Sequence, residues 1–122
     1  MLSRLRAHKV SFGHAFDGFI HTVKTQPNFR FHLIASICVF LLGIYFSISI
    51  IEWLVLIFTI NMVIVAEMIN TSIESMVDLI TEERRENARV AKDVSAGMVL
   101  VSSVLAVFIG GFVFVPKIIS VL

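Results

Sequence analysis

The sequence predicts an all-α membrane protein, in which an N-terminal amphipathic surface helix precedes three transmembrane helices. Of its 122 residues, 57% are hydrophobic and only 16% are charged, whereas soluble domains average about 45–50% apolar and about 25% charged residues. So short a chain leaves much of its surface exposed and cannot bury this excess in a soluble core. The composition therefore excludes a large soluble enzyme, and the net charge of +1 gives no reason to expect a nucleic-acid partner.

The surface helix is expected over about residues 3–25. Apolar side chains recur there at three-, four- and seven-residue spacing among basic and polar ones: Leu5, Phe12, Phe16, Phe19, Ile20 and Val23. Such a basic amphipathic helix lies in the headgroup layer of a membrane or packs on protein in an oligomer, and the pattern leaves both open. Pro27 disfavours helix in the residue before it, so the helix is expected to break at Gln26.

The three membrane helices are expected over about residues 29–50, 52–80 and 88–116, within a single domain that spans residues 1–122. Residues 31–51 and 94–116 carry no formal charge and are long enough for a hydrocarbon core of ~30 Å, which needs about 20 helical residues. The second uncharged run, residues 53–66, is too short by itself. It spans only if Glu67 and its neighbours lie within the membrane.

The basic residues predict the orientation. Nine of the ten lysines and arginines flank the spans on one side: Arg4, Arg6, Lys9, Lys24, Arg30, Arg84, Arg85, Arg89 and Lys92. By the positive-inside rule this side is cytoplasmic. We therefore expect a multi-pass protein with a cytoplasmic N-terminus and an external C-terminus.

A polar stripe at the end of the second span contains the most informative residues. At 100° per residue, Glu67, Asn70, Glu74 and Asp78 fall within an arc of about 80°. Carboxylates in a span are costly and must face a cavity, a partner or a cation. Two of them could hold Mg²⁺, which prefers oxygen ligands, and Glu67 could act as a general base. The alternative is a set of interhelical hydrogen bonds that only fixes the assembly.

Lys92 and Asp93 follow at the start of the third span. The lysine can neutralise a phosphate and the aspartate can accept from a ribose or a metal-bound water, although the pair alone favours a membrane-flanking anchor at a helix start. The small residues 95–97 leave room for close helix approach or substrate access. The sequence contains neither a P-loop nor a Rossmann glycine motif.

These motifs resemble the signature of the prokaryotic diacylglycerol kinase family. The pattern E-x-x-N-[ST]-[AS]-I-E-x-x-V-D begins at Glu67, and A-K-D follows at residues 91–93. The resemblance extends upstream through Ser11-Phe12 and covers nearly the whole chain. Within the family, Asn28–Leu33 and Phe114–Ile118 look more like the undecaprenol kinase branch.

The resemblance implies a homotrimer in a bacterial inner membrane. It would transfer the γ-phosphoryl group of ATP, with Mg²⁺, to the hydroxyl of undecaprenol or diacylglycerol. The roles it implies are a general base (Glu67), its support (Asn70), a metal ligand that also serves the nucleotide (Glu74), nucleotide contacts (Asp78, Lys92, Asp93) and lipid contacts (Arg30, Ala96 and again Glu67).

One position departs from the family pattern. Where the family typically has a second metal-binding glutamate, four residues before Arg30, this chain has Gln26. An amide oxygen can coordinate Mg²⁺ but brings no charge, so a weakly active family member is one alternative. A second alternative is a small oligomeric transporter or proton pathway that uses Glu67.

Overall fold

The computed structural model describes residues 2–122, and side chains from residue 11 onward. The chain forms four helices: α1 (Leu2–Thr25), α2 (Pro27–Tyr45), α3 (Ile50–Ile80) and α4 (Glu86–Ile119). The last three are long and apolar enough to cross a membrane. The prediction of a helical protein with three candidate membrane spans is therefore confirmed.

A closely packed joint connects α1 to α2. Gln26 adopts an extended conformation, and Pro27 occupies the first turn of α2, where the missing N–H costs nothing because it would have no helical acceptor. The ring of the fully buried Phe29 packs edge-on against that of Phe19, with 5.4 Å between centroids. The Arg30 guanidinium donates to carbonyls in the last turn of α1, those of Val23 (3.0 Å) and Lys24 (3.1 Å).

The link between α2 and α3 begins earlier than the sequence indicates. The first span, expected to reach residue 50, ends at Tyr45, and Ser47 follows with a positive φ of 48°. Ser49 then starts α3 with a capping box: its hydroxyl accepts from the Glu52 N–H, and the Glu52 carboxylate accepts from the Ser49 N–H. These reciprocal bonds satisfy two N–H groups that have no helical acceptor. Because the link is itself uncharged, hydropathy does not reveal it.

An apolar cluster closes the bundle next to this link, a region called here the Trp53 end. Buried Ile48, Leu56 and Phe114 form the cluster. Gly43 lies directly under the Trp53 indole, where an added Cβ would come within 2.5 Å of the ring. Lys117 of α4 also reaches Glu52 of α3, with 3.0 Å between Nζ and Oε1. At this end α2, α3 and α4 are therefore held together by close packing.

The opposite end of the bundle, called here the Lys92 end, is polar. Residues 81–85 connect α3 to α4, and these two helices form the most extensive helix pair in the part of the chain described. Elsewhere the outward faces of the spans are exposed and apolar, as at Ile34, Leu41, Phe58, Leu100 and Phe112. A single chain thus leaves most of its apolar helix surface to be covered by lipid or by other chains.

Candidate active site

Glu67 lies on α3 toward the Lys92 end and is almost completely buried, with 3% of its side chain exposed. Its nearest ionisable neighbour is His32 of α2, whose Nε2 is 3.3 Å from Oε1. This approach is not aligned as a hydrogen bond, and Oε1 has no hydrogen-bond partner among the described residues. Buried polar atoms are nearly always paired, so an orphaned carboxylate oxygen indicates a functional site.

One helical turn further on, Asn70 links α3 to α4. The fully buried Ser95 hydroxyl lies 2.7 Å from Asn70 Oδ1 and 2.9 Å from the Lys92 carbonyl, and its single proton serves one acceptor at a time. The Asn70 amide donates to Glu74 Oε1 across 3.4 Å, a long hydrogen bond. Ser95 thereby orients the Asn70 carboxamide so that its NH₂ group faces Glu74.

Asp78 and Lys92 meet across the α3–α4 pair at the water-exposed edge. Lys92 Nζ is 2.6 Å from Asp78 Oδ1, and both side chains remain partly exposed. They border a cleft of about 430 Å³ that is also lined by Arg84 and Arg85 of the link, by Arg89 of α4, and by three acidic residues, Glu82, Glu83 and Glu86. This open cleft of mixed charge can receive a polar, water-soluble ligand.

The remaining predicted site residues are not drawn into these contacts. Asp93 pairs with Arg89 at 2.8 Å rather than with Lys92. Arg30 is engaged with the end of α1, Gln26 is half-buried at the α1–α2 joint, and Ala96 is exposed on α4. Their roles stay predictions.

The oxygen donors in this region suit a magnesium ion that is shared with substrate phosphates better than an ion held by protein ligands alone. Over residues 11–122 no three acidic, histidine or cysteine side chains converge into a metal-binding group. Mg²⁺, however, is commonly held by one or two carboxylates together with substrate phosphate oxygens. Glu74, half-buried between Asn70 and the polar cleft, fits that donor set.

An open apolar groove of about 560 Å³ lies between α2, α3 and α4. Val39, Leu56, Val63, Val107 and Phe114 contribute to its walls, and His32 is among its few polar lining residues. Since His32 also contacts Glu67, the groove meets the buried carboxylate at this histidine. The groove has the character of a site for an apolar chain.

Sequence reasoning did not include His32 and Ser95 among the site residues. The available signal was weak in both cases: His32 is the one titratable side chain of the uncharged run 31–51, and Ser95 is one of several serines near a span. Whether these two side chains face the site depends on the rotation of each helix about its axis, which the sequence does not reveal.

The family model for prokaryotic diacylglycerol kinase matches residues 13–114, most of the chain. The chain belongs to the prokaryotic diacylglycerol kinase family. It is 41% identical over 107 residues to the undecaprenol kinase of Bacillus subtilis (strain 168), a match that covers 88% of this chain and 87% of that protein. It is also 35% identical over 114 residues to a diacylglycerol kinase of Synechocystis, covering 93% of this chain and 65% of the length of that protein.

The resemblance inferred from the polar motifs is thus confirmed, and the chain is a member of a family of lipid kinases. The matched region includes the joint, the groove, the polar stripe from Glu67 to Asp78, and Lys92 and Asp93. Family membership favours a kinase over the transporter alternative.

Proposed function

We propose that this protein is an ATP- and Mg²⁺-dependent lipid kinase, which phosphorylates the hydroxyl group of undecaprenol or diacylglycerol. The observation that carries the proposal is the buried Glu67 carboxylate, with one oxygen free of hydrogen bonds, at the head of an apolar groove. The position suits a base for an alcohol whose tail lies in the membrane.

The lipid side of the reaction is assigned to the groove and to Glu67. An isoprenoid or acyl tail would lie against the apolar walls, which brings its hydroxyl to the region of Glu67 and His32. Glu67 Oε1 would accept the hydroxyl proton as the oxygen attacks phosphorus. Nearby, His32 Nε2 at 3.3 Å would hold the carboxylate in place.

The nucleotide side is assigned to the polar cleft at the Lys92 end. Its lining has four basic side chains, which would contact the phosphates of a triphosphate, and four acidic ones: Arg84, Arg85, Arg89 and Lys92, and Asp78, Glu82, Glu83 and Glu86. Lys92 already contacts Asp78, but an ammonium group has three donors, so it can bind a phosphate oxygen and keep its carboxylate partner.

Glu74 would hold Mg²⁺ between these two regions, where the ion would neutralise charge on the phosphate oxygens. Phosphoryl transfer depends mainly on positioning and on electrostatic stabilisation. The Ser95–Asn70–Glu74 chain of hydrogen bonds supplies positioning, because it sets the orientation of the Glu74 carboxylate from a fully buried hydroxyl.

We further propose a homotrimer in the bacterial inner membrane, with the Lys92 end and the N-terminus cytoplasmic and the C-terminus outside. The large exposed apolar surface of the single chain supports assembly, and the concentration of lysine and arginine at the Lys92 end supports this orientation. ATP is then available to the polar cleft from the cytoplasm.

Both candidate lipids present a hydroxyl group at the membrane interface. The higher identity to a relative named undecaprenol kinase, over most of both chains, supports undecaprenol as the first candidate and diacylglycerol as the second.

The deciding experiment is a kinase assay on the purified protein in mixed micelles, with radiolabelled ATP, Mg²⁺ and either undecaprenol or diacylglycerol. Label is expected in the organic phase only when a lipid alcohol is supplied, and micelles without the alcohol serve as the control. If a verified trimer transfers no phosphate to either alcohol, the proposal is wrong.

A further inference from the structure

Glu67 must lose the proton that it accepts before it can act a second time. Each turnover of the proposed reaction transfers one hydroxyl proton to its carboxylate, which then can no longer serve as a base. Only 3% of the Glu67 side chain is exposed, so water has little direct access to it. A lipid tail in the apolar groove would cover this region further, because the groove extends to His32. The buried base therefore needs a neighbouring group that takes up the proton.

The side chains around Glu67 offer one such group. The Asn70 carboxamide and the Thr71 hydroxyl are very weak bases, and both are already engaged, Asn70 with Ser95 and Thr71 with the Glu67 carbonyl. Glu74 lies seven positions further along α3, which is about 10 Å along the helix axis. In the part of the chain that the structure describes, His32 is the one basic side chain within ion-pair distance of Glu67.

His32 has the geometry and the chemistry of a proton carrier. Its Nε2 is 3.3 Å from Glu67 Oε1, the same carboxylate oxygen that has no hydrogen-bond partner among the described residues. Contacts of this kind are often long or poorly aligned in an unoccupied site and tighten when substrate binds. A protonated Oε1 is a donor, and the Nε2 of a neutral imidazole that is protonated on Nδ1 is an acceptor. Histidine commonly gains and releases a proton near neutral pH.

His32 is also more accessible than Glu67. It follows Pro27, the first residue of α2, by five positions, which is about 8 Å along the helix axis. Its side chain is 19% exposed, and its ring packs edge-on against that of Phe31, with 5.7 Å between centroids. With the start of α2 at the cytoplasmic interface, as proposed above, a proton on His32 reaches water more easily than a proton on Glu67.

We propose that His32 regenerates the base by carrying the proton from Glu67 to water. In the transfer step the lipid oxygen bonds to the γ-phosphorus, the bond from phosphorus to the bridging oxygen breaks, and ADP leaves with that electron pair. The hydroxyl proton passes to Glu67 Oε1. It then moves to the lone pair of His32 Nε2, and the resulting imidazolium releases a proton to water. The inference rests on the proposed function and adds how the site returns to its starting state.

Rapid-quench kinetics of His32→Gln test this role, because glutamine keeps a polar group beside Glu67 but cannot carry a proton. The first turnover needs only the unprotonated Glu67 and is expected to proceed at close to the wild-type rate. Later turnovers wait for the proton to leave, so the steady-state rate is expected to fall by about 10²-fold. The result is a burst of about one phosphorylated lipid per site. His21→Gln, at an exposed histidine of α1, is the matched control and should behave as wild type.

Free imidazole provides a second test. His32→Ala removes the ring and leaves room for a small base beside Glu67. Added imidazole is expected to raise the steady-state rate of this variant several-fold, in proportion to its concentration until the site is filled. It should not raise the rate of Glu67→Gln, which lacks the base itself. Thermal unfolding and size-exclusion chromatography in detergent verify that each variant is folded and assembled.

Three outcomes would overturn the inference: a wild-type steady-state rate for His32→Gln, a first turnover that is slowed as much as the later ones, or a folded His32→Ala that does not respond to imidazole. If His32→Ala does not fold, the burst experiment on His32→Gln decides. The wild-type protein is assayed in the same micelles. Normal lipid phosphorylation with any of these outcomes refutes the proton carrier alone, whereas a wild-type protein that phosphorylates neither alcohol refutes the kinase itself.

Discussion

The two ends of the bundle each contain a lysine paired with a carboxylate across α3 and α4, but the pairs are used differently. At the Trp53 end, Glu52 Oε2 accepts from the Ser49 N–H while Oε1 contacts Lys117. Both oxygens are thus engaged. At the Lys92 end, Asp78 contacts Lys92 through Oδ1, and this pair borders an open cleft that is lined by both acidic and basic side chains.

From this difference we expect the Glu52 pair to be structural, because both of its carboxylate oxygens are engaged, and the Asp78 pair to be the one that a ligand can reach. The Glu52 pair closes a cap beside a packed cluster of Ile48, Leu56 and Phe114. The Asp78 pair lies about three helical turns further along α3 from Glu67, a buried carboxylate with an unpartnered oxygen. The Trp53 end should therefore determine stability and the Lys92 end turnover.

The largest effect is expected from Glu67→Gln, which keeps the shape of the side chain and removes its ability to accept a proton. Loss of a general base lowers turnover by about 10²–10⁴-fold, as measured by lipid phosphorylation. Glu52→Gln is the matched control at the other end. It should weaken the capping box and lower the apparent unfolding temperature without a comparable loss of turnover. Near-normal activity of Glu67→Gln would contradict the assignment of the base.

A smaller effect is expected from Lys92→Gln, because a charge-assisted hydrogen bond to phosphate contributes about 1.5–3 kcal/mol. This corresponds to a roughly 10- to 150-fold loss in kcat/KM for ATP, measured by varying the nucleotide at saturating lipid. Lys117→Gln removes the equivalent charge at the Trp53 end and should leave kcat/KM for ATP unchanged. Equal losses of kcat/KM for ATP in the two variants would show that Lys92 contributes no more to ATP binding than Lys117 does.

Gly43→Ala should affect stability rather than chemistry. The added Cβ would meet the Trp53 ring at 2.5 Å, and overpacking of this kind costs about 1–3 kcal/mol. Thermal unfolding in detergent should show a lower midpoint, with normal turnover per folded molecule. Gly111→Ala has no atom within 4 Å of the new Cβ and should not lower the midpoint. An unaltered midpoint for Gly43→Ala would mean that the indole moves aside freely.

The smallest effect is expected from Gln26→Glu, which places a carboxylate at the predicted metal-binding position. If residue 26 contributes a metal ligand, the added charge lowers the Mg²⁺ concentration for half-maximal rate, on the order of a few-fold. A Mg²⁺ titration at fixed ATP measures this, with Gln26→Ala as the comparison. Identical requirements in all three proteins would remove residue 26 from the metal site.

The sequence was sufficient to predict a helical protein with three candidate membrane spans and the composition of the polar stripe. Length and hydropathy define the spans, and a 100° rotation per residue places Glu67, Asn70, Glu74 and Asp78 on one face. These features depend on one helix at a time, so they need no knowledge of packing.

The contacts between helices could not be predicted in the same way. Ser95 meets Asn70, and His32 meets Glu67, only because each pair of helices adopts one particular rotation and offset. The end of α2 at Tyr45 escaped prediction for a related reason. The turn depends on the positive φ of Ser47 and on the Ser49 cap. The surrounding residues are as apolar as those of a transmembrane helix, so hydropathy does not mark where α2 ends.

The joint between α1 and α2 has a mechanical consequence. Because Phe29 is buried against Phe19 and Arg30 binds the last carbonyls of α1, the angle between the two helices cannot change without breaking these contacts. Membrane helices respond to a thicker or thinner bilayer by changing their tilt. When α2 tilts, α1 is therefore expected to change its orientation together with α2.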